Sequence, residues 1–184
     1  MTRIIITGGS GLVGSNFIKC LLSKYETDKQ KLFSLYFTHA TDYQACNNFK
    51  VNIANRNEIL SLQRLEPDLI IHCAAVTGIS FCENNKELAK AINVEATKNI
   101  AELSRKAKAK LIYISTDAVF DGFKGNYSER DKPCPVNVYG NTKLDGEKVC
   151  LDSYENTLVA RIRGFGKNLV IKKSSFIEDI IAAL

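Results

Sequence analysis

A chain of 184 residues with a formal net charge of +5, 45% hydrophobic and 24% charged, is long enough for one domain with a sizeable core and short for a two-domain enzyme. Its lysines and arginines are interleaved with acids and build no long basic block, which argues against a nucleic-acid partner. No apolar run has the length of a signal peptide or a membrane span, so the expectation is a cytoplasmic protein without membrane contact.

In chain order, short β-branched runs alternate with longer segments of helical period, the signature of βαβ units around a parallel sheet. Strands are expected over 3–7, 32–38, 68–74, 111–115 and 158–162, with a shorter one over 49–51. Most are nearly all apolar, a pattern that suits strands covered on both faces. Phe17, Ile18, Leu21 and Leu22 give a helical stripe over 14–23, and similar stripes cover 57–65 and 88–106. Arg105, Lys106, Lys108 and Lys110 come where that last helix should end, and cations there complement its dipole. Residues 121–138, with Gly122, Gly125, Pro133 and Pro135, read as a long surface loop of the kind that often carries function. The expected fold class is α/β, a doubly wound parallel sheet of Rossmann type.

The six cysteines, at 20, 46, 73, 82, 134 and 150, include no C-x-x-C pair, so the pattern predicts neither a metal site nor a redox motif and fits a reducing compartment. Cys73, inside Ile70-Ile71-His72-Cys73-Ala74, reads as a small buried hydrophobe.

Three constellations carry chemistry. The first is Ile4-Ile5-Ile6-Thr7-Gly8-Gly9-Ser10-Gly11-Leu12-Val13-Gly14, a glycine-rich turn between a strand and a helix. Such a turn lets backbone amides approach a pyrophosphate at the helix N-terminus. An acid about 20 residues on would grip the ribose 2′-hydroxyl of NAD, but the second strand ends Phe37-Thr38-His39-Ala40. NAD and NADP both stay open, and Thr38 and His39 tilt the reading to NADP.

The second is Tyr139-Gly140-Asn141-Thr142-Lys143, a Y-x-x-x-K at the start of a helix. Positions i and i+4 share a face there, so the ammonium is expected to bring the phenol's pKa down toward a useful range. The third is the strand exit Ser115-Thr116-Asp117-Ala118-Val119-Phe120-Asp121-Gly122, at the sheet edge where ligands bind in open α/β folds.

At these residues the chain resembles the extended short-chain dehydrogenase/reductases, and within them the dTDP-4-dehydrorhamnose reductase family. The resemblance rests on the 7–14 turn, the Ser115–Gly122 run, and the stretch from Tyr127-Ser128-Glu129 through Pro135 to Tyr139-Gly140-Asn141-Thr142-Lys143-Leu144-Asp145-Gly146-Glu147. It implies Thr116, Tyr139 and Lys143 as catalytic residues, with Asp117 near the sugar ring. It also implies cofactor contacts at Gly8, Ser10, Gly11, Leu12, Val13, Gly14, Asn52, Ile53, Ala74, Ala75, Asn93, Tyr139 and Lys143. Two positions depart from the family pattern. Asn52 stands where an aspartate usually holds the adenine amino group, and Ala118 stands where an aromatic residue is common.

The activity implied is reduction of a nucleotide-linked 4-keto-6-deoxysugar by NADPH or NADH, with the nucleotide sugar as partner and a homodimer left open. A non-catalytic cofactor-binding regulatory subunit, like that of methionine adenosyltransferase, is the alternative. Residues 1–166 are expected to form the NAD(P)-binding domain. The stripe Phe176, Ile177, Ile180, Ile181 and Leu184 would lie in 167–184, the start of a C-terminal substrate domain that is largely absent.

Overall fold

In the computed structural model, which describes residues 2–24, 28, 31–39, 46–164 and 169, six strands pair in parallel. They are β1 (Ile4–Thr7), β2 (Leu32–Tyr36), β3 (Asn47–Lys50), β4 (Leu69–His72), β5 (Lys110–Thr116) and β6 (Thr157–Ile162), in the spatial order β3-β2-β1-β4-β5-β6. The chain builds outward from β1 on one side and then starts again at β4 on the other. The carboxyl ends of β1 and β4 therefore flank the crevice where such sheets take ligands. Thr7 pairs with Leu35 on one side and His72 on the other, so the three strand ends are level at that crevice.

Alternation along each strand splits the core in two. Ile5, Leu35, Ile70, Leu111 and Tyr113 face α2 (Arg56–Ser61), α5 (Ala96–Ala107) and α6 (Val138–Ser153), and meet Ile59, Ile100, Leu103 and Cys150 there. Ile4, Ile6, Leu32, Ile71 and Ile114 face the other way, toward Ile18 of α1 (Leu12–Lys24). Helices on both faces explain why the strand sequences are apolar at consecutive positions.

Arg105 and Lys106 sit in the last turn of α5, which stops at Lys108 in the left-handed region (φ 55°), as the basic run predicts. Helix α6 begins where expected, its Asn137 side chain accepting from the Gly140 amide.

The structure departs from the sequence reading at several places; β2 ends at Tyr36 instead of 38, and β3 covers Asn47–Lys50 instead of 49–51. Strand β4 ends at His72 instead of 74, because the Ala74 amide turns to donate to the Thr7 hydroxyl (3.1 Å). The helix expected over 57–65 tightens into a 3₁₀ turn at Leu62–Leu65. A helix α3 (Ile79–Asn84), too short to show a period, precedes α4 (Lys86–Lys90). Between α4 and α5 the helix widens into a π turn at Ala91–Glu95, which an ideal 3.6-residue stripe does not reveal. The 176–184 stripe and the boundary at 166 lie outside the described residues.

Candidate functional site

Two cavities open side by side at the carboxyl edge. The first, about 400 Å³, is lined by Gly8, Ser10, Gly11, Leu35, Phe37, Thr38, Asn52, Ile53, Ala74, Ala75 and Val76, among others. The second, about 730 Å³, is lined by Gly78, Thr116, Asp117, Ala118, Phe120, Tyr127, Glu129, Tyr139, Arg161 and Arg163, among others. Val76 borders one and Gly78 the other.

The glycine-rich turn builds the first cavity. Gly8 has φ +66°, and a Cβ there would stand 2.8 Å from the backbone N and Cα of Ala74. A Cβ on Gly14 would overlap the Gly8 carbonyl oxygen. Only bare backbone lets β1, α1 and the exit of β4 come this close. The first turn of α1 carries no acid, so the positive end of its dipole is left for an anion.

Of the expected cofactor residues, Gly8, Ser10, Gly11, Asn52, Ile53, Ala74 and Ala75 line this cavity. Leu12, Val13, Gly14, Asn93, Tyr139 and Lys143 do not. Gly14 is buried under Gly8, and Leu12 and Val13 are the first two residues of α1. Asn93, 1% exposed, clamps the wall from behind. Its Oδ1 accepts from the Val76 amide (2.8 Å) and its Nδ2 donates to the Val76 carbonyl (3.0 Å) and to Thr142 Oγ1 (3.0 Å). Asn52 Oδ1 accepts from the Ala54 amide (3.0 Å), which uses one of its two lone pairs. Cys73 is half-buried on the cavity wall instead of sealed in the core, and burial still pushes its thiol up to about 12.

Thr116 ends β5 and Tyr139 opens α6, and both line the second cavity. Burial raises the Tyr139 phenol above its usual range, the nearby Thr116 hydroxyl pulls it back down, and Cys82 and Asp117 raise it further. Thr116 Oγ1 also donates to Asp117 Oδ1 (3.1 Å) and accepts from the Ala118 amide (3.2 Å).

The expected action of Lys143 on Tyr139 is not what this arrangement gives. Lys143 Nζ is turned into the protein, donating to the Ile114 carbonyl (2.8 Å) and lying 4.1 Å from the centre of the Tyr113 ring. Lys143 is 2% exposed, and that burial lowers its ammonium to about 8.

Sequence reasoning missed the far wall of the second cavity. Arg161 of β6 donates through Nε (3.0 Å) and Nη2 (2.7 Å) to Glu147 of α6, which also accepts from Ser115. The guanidinium carbon lies 5.1 Å from the centre of the Phe120 ring, which stacks on Tyr127 at 4.4 Å. The available signal was a charged residue inside an otherwise apolar strand, since a buried charge needs a partner. Arg163 Nη1 lies 3.7 Å from Asp117 Oδ2 at the same mouth. Among the described residues no three His, Cys, Asp or Glu side chains could together hold a metal ion, and no helix is long and apolar enough to cross a membrane.

Comparison with known proteins agrees with this architecture. Methionine adenosyltransferase 2 subunit beta of Xenopus laevis is 35% identical over 87% of this chain and 46% of its own length; the chain thus spans about half of the curated relatives it matches. The crystal structure of a hypothetical dTDP-4-dehydrorhamnose reductase from Sulfolobus tokodaii superposes with TM-score 0.79 at 33% identity, over 90% of this chain and 57% of that one. The Bacillus anthracis dTDP-4-dehydrorhamnose reductase, solved in complex with NADP, superposes with TM-score 0.77 at 29% identity, over 99% and 59%. With residues 1–178 matching the family described as RmlD substrate binding domain, the chain belongs to that family, within the extended short-chain dehydrogenase/reductases.

Proposed function

We propose that residues 1–166 bind a nicotinamide dinucleotide, and that the chain carries the proton-donating side of a reductase site for a nucleotide-linked 4-keto-6-deoxysugar. The observation that carries this reading is the placing of Thr116 and Tyr139 together on one cavity, beside a second cavity floored by the glycine-rich turn. That floor fits a dinucleotide: bare backbone at Gly8 and Gly11, a helix N-terminus without acids, and apolar walls from Leu35, Val51 and Ile53.

A bound reduced nicotinamide would supply the hydride. Tyr139, kept protonated by burial, gives its phenolic proton to the carbonyl oxygen. Thr116, whose hydroxyl rests on Asp117 Oδ1 (3.1 Å), would turn it to that oxygen as negative charge develops. Lys143 stands one turn along α6 with its ammonium held on Ile114, within the same helix as the donor. The absence of an acid among Phe37, Thr38 and His39 supports NADP, the cofactor in the Bacillus anthracis structure.

Calorimetry with NADPH and NADH, followed by dTDP-4-keto-6-deoxysugar and absorbance of the reduced nicotinamide, tests this. Binding with consumption of the reduced form is expected. Binding without consumption would favour a second reading supported by the 35% identity to a methionine adenosyltransferase beta subunit, a regulatory cofactor-binding role. That reading predicts a stable complex with a methionine adenosyltransferase catalytic subunit.

A further inference from the structure

His72 is completely buried at the end of β4, next to Cys73 on the wall of the first cavity, and the chemistry above makes no use of it. Its Nδ1 lies 2.6 Å from Thr7 Oγ1 and its Nε2 lies 3.1 Å from Thr97 Oγ1. The directions of these bonds follow from their neighbours. Thr97 donates its only hydroxyl hydrogen to the Asn93 carbonyl (2.9 Å), so it must accept from His72, and Nε2 carries the ring proton. Nδ1 is then bare and accepts from Thr7, whose oxygen in turn accepts from the Ala74 amide (3.1 Å). On the far side the Asn93 amide donates to Thr142 Oγ1 (3.0 Å), which donates to the Tyr139 carbonyl (2.9 Å).

The hydrogens therefore point one way from the Ala74 amide through Thr7, His72 and Thr97 to the backbone carbonyl of Asn93, and the Asn93 side chain links that point to Val76 and, through Thr142, to the backbone of Tyr139. Thr7, His72 and Thr97 are 0% exposed, Asn93 1% and Thr142 7%. In the dry run from Thr7 through His72 to Thr97 each bond polarises the next, and a missing link leaves a buried group unpaired. An imidazole suits the centre because it alone offers a donor and an acceptor on opposite edges of one rigid ring. Burial, and next the charge of Lys143, hold it neutral, lowering its pKa to about 3, so the polarity of the chain does not reverse at ordinary pH.

We propose that His72 is a positioning residue, whose single tautomer fixes the Ala74–Val76 wall of the dinucleotide cavity against the glycine-rich turn and ties that wall to the first turn of the Tyr139 helix. The proposal rests on the dinucleotide-binding reading for its ligand, but its geometry can be tested without one.

The test uses the whole chain and substitutions at Thr97, which lies on α5 and lines neither cavity. Thr97→Val keeps the shape and removes the hydroxyl; Thr97→Ser keeps the hydroxyl and removes a methyl. In the parent, imidazole ¹⁵N shifts should show His72 protonated at Nε2 alone and unchanged from pH 5 to 8, with His39→Gln assigning the signals. Amide exchange at Ala74 and Val76 should quicken in Thr97→Val and recover in Thr97→Ser. NADPH affinity should fall about tenfold in Thr97→Val and stay within twofold of the parent in Thr97→Ser, even though the serine variant loses packing and melts lower. A merely structural role would make affinity indifferent to both variants. An Nδ1–H tautomer, or Ala74 and Val76 exchange unmoved by Thr97→Val, overturns the proposal whether or not NADPH binds. A parent that fails to bind NADPH while exchange behaves as described overturns the functional reading instead.

Discussion

Glu147 and Arg161 form an ion pair in which a carboxylate 3% exposed receives both Nε and Nη2 of a guanidinium, tying α6 to the edge strand β6. Glu147 is also the chief reason that the Arg161 pKa is raised. Removing one member leaves the other charge desolvated and alone, which costs about 3–5 kcal/mol, whereas replacing both by apolar groups is often close to neutral. Arg161→Leu should therefore destabilise the chain by about 3 kcal/mol or more in urea unfolding, and adding Glu147→Leu should recover most of that loss. Equal or additive losses in the double variant would show that the pair does not act as a unit.

Gly8 and Gly11 belong to one motif but should fail in different ways. Gly8 has a positive φ and its Cβ would press on the Ala74 backbone, so Gly8→Ala should lower the melting temperature, with about 1–3 kcal/mol lost to the backbone conformation alone. At Gly11 the one close neighbour of an added Cβ among the described residues is the Gly8 carbonyl oxygen at 3.2 Å, and the residue lines the cavity. Gly11→Val should fold, with its melting temperature little changed, yet bind no dinucleotide by calorimetry. Parent-like binding by Gly11→Val would place the pyrophosphate elsewhere.

Much of this architecture is legible in the sequence because its signals are local. The turn at 7–14, the helix opening at Val138 and the end of α5 at Lys108 are each set by neighbouring residues. What escapes is the pairing of distant side chains. His72 finds Thr97 25 positions away and Thr7 65 positions away, and Arg161 hides in a run that reads as apolar. The i and i+4 rule puts Tyr139 and Lys143 on one face, but it says nothing about the rotamer that turns Nζ onto Ile114. Asn93 carries a family signal read as a cofactor contact, while its amide is spent on Val76 and Thr142.

If Tyr139 is the proton donor, Tyr139→Phe removes only the reacting hydroxyl. In protein that oxidises NADPH with the keto sugar, kcat should drop by about 10²–10⁴, the usual worth of general acid catalysis, while NADPH affinity stays within about twofold. Thr116→Val should lower kcat as well, since the hydroxyl beside the phenol is lost. Turnover retained in the Phe variant would move the donor to another group.

Cofactor choice should respond to the end of β2. Thr38 lines the dinucleotide cavity, and a carboxylate there would repel a 2′-phosphate while accepting from a ribose hydroxyl. Thr38→Asp should weaken NADPH binding by about tenfold or more and leave NADH binding unchanged or improved, measured by parallel titrations. A variant that loses both cofactors equally would show that Thr38 does not face the ribose.

Lys143 gives a pH dependence whose sign can be worked out. Burial lowers its ammonium from 10.5 to about 8 in the folded chain, so between pH 8 and 10.5 the unfolded state holds a proton that the folded state has released. Stability from this group then rises with pH across that window, and below pH 8 the penalty of burying the charge is fully present. Buried thiols act oppositely: Cys73 and Cys150, both pushed up to about 12, lose stability for the fold as pH rises above 9. The parent curve mixes these effects, so the informative quantity is the difference between the parent and Lys143→Met, measured by urea unfolding under reducing conditions from pH 7 to 10. The parent should gain on the variant steadily above pH 8, by about 3 kcal/mol in full, whatever the offset at neutral pH from the lost Ile114 and Tyr113 contacts. A difference that stays flat from pH 7 to 10 would mean that the ammonium keeps its ordinary pKa and that water reaches Nζ in solution.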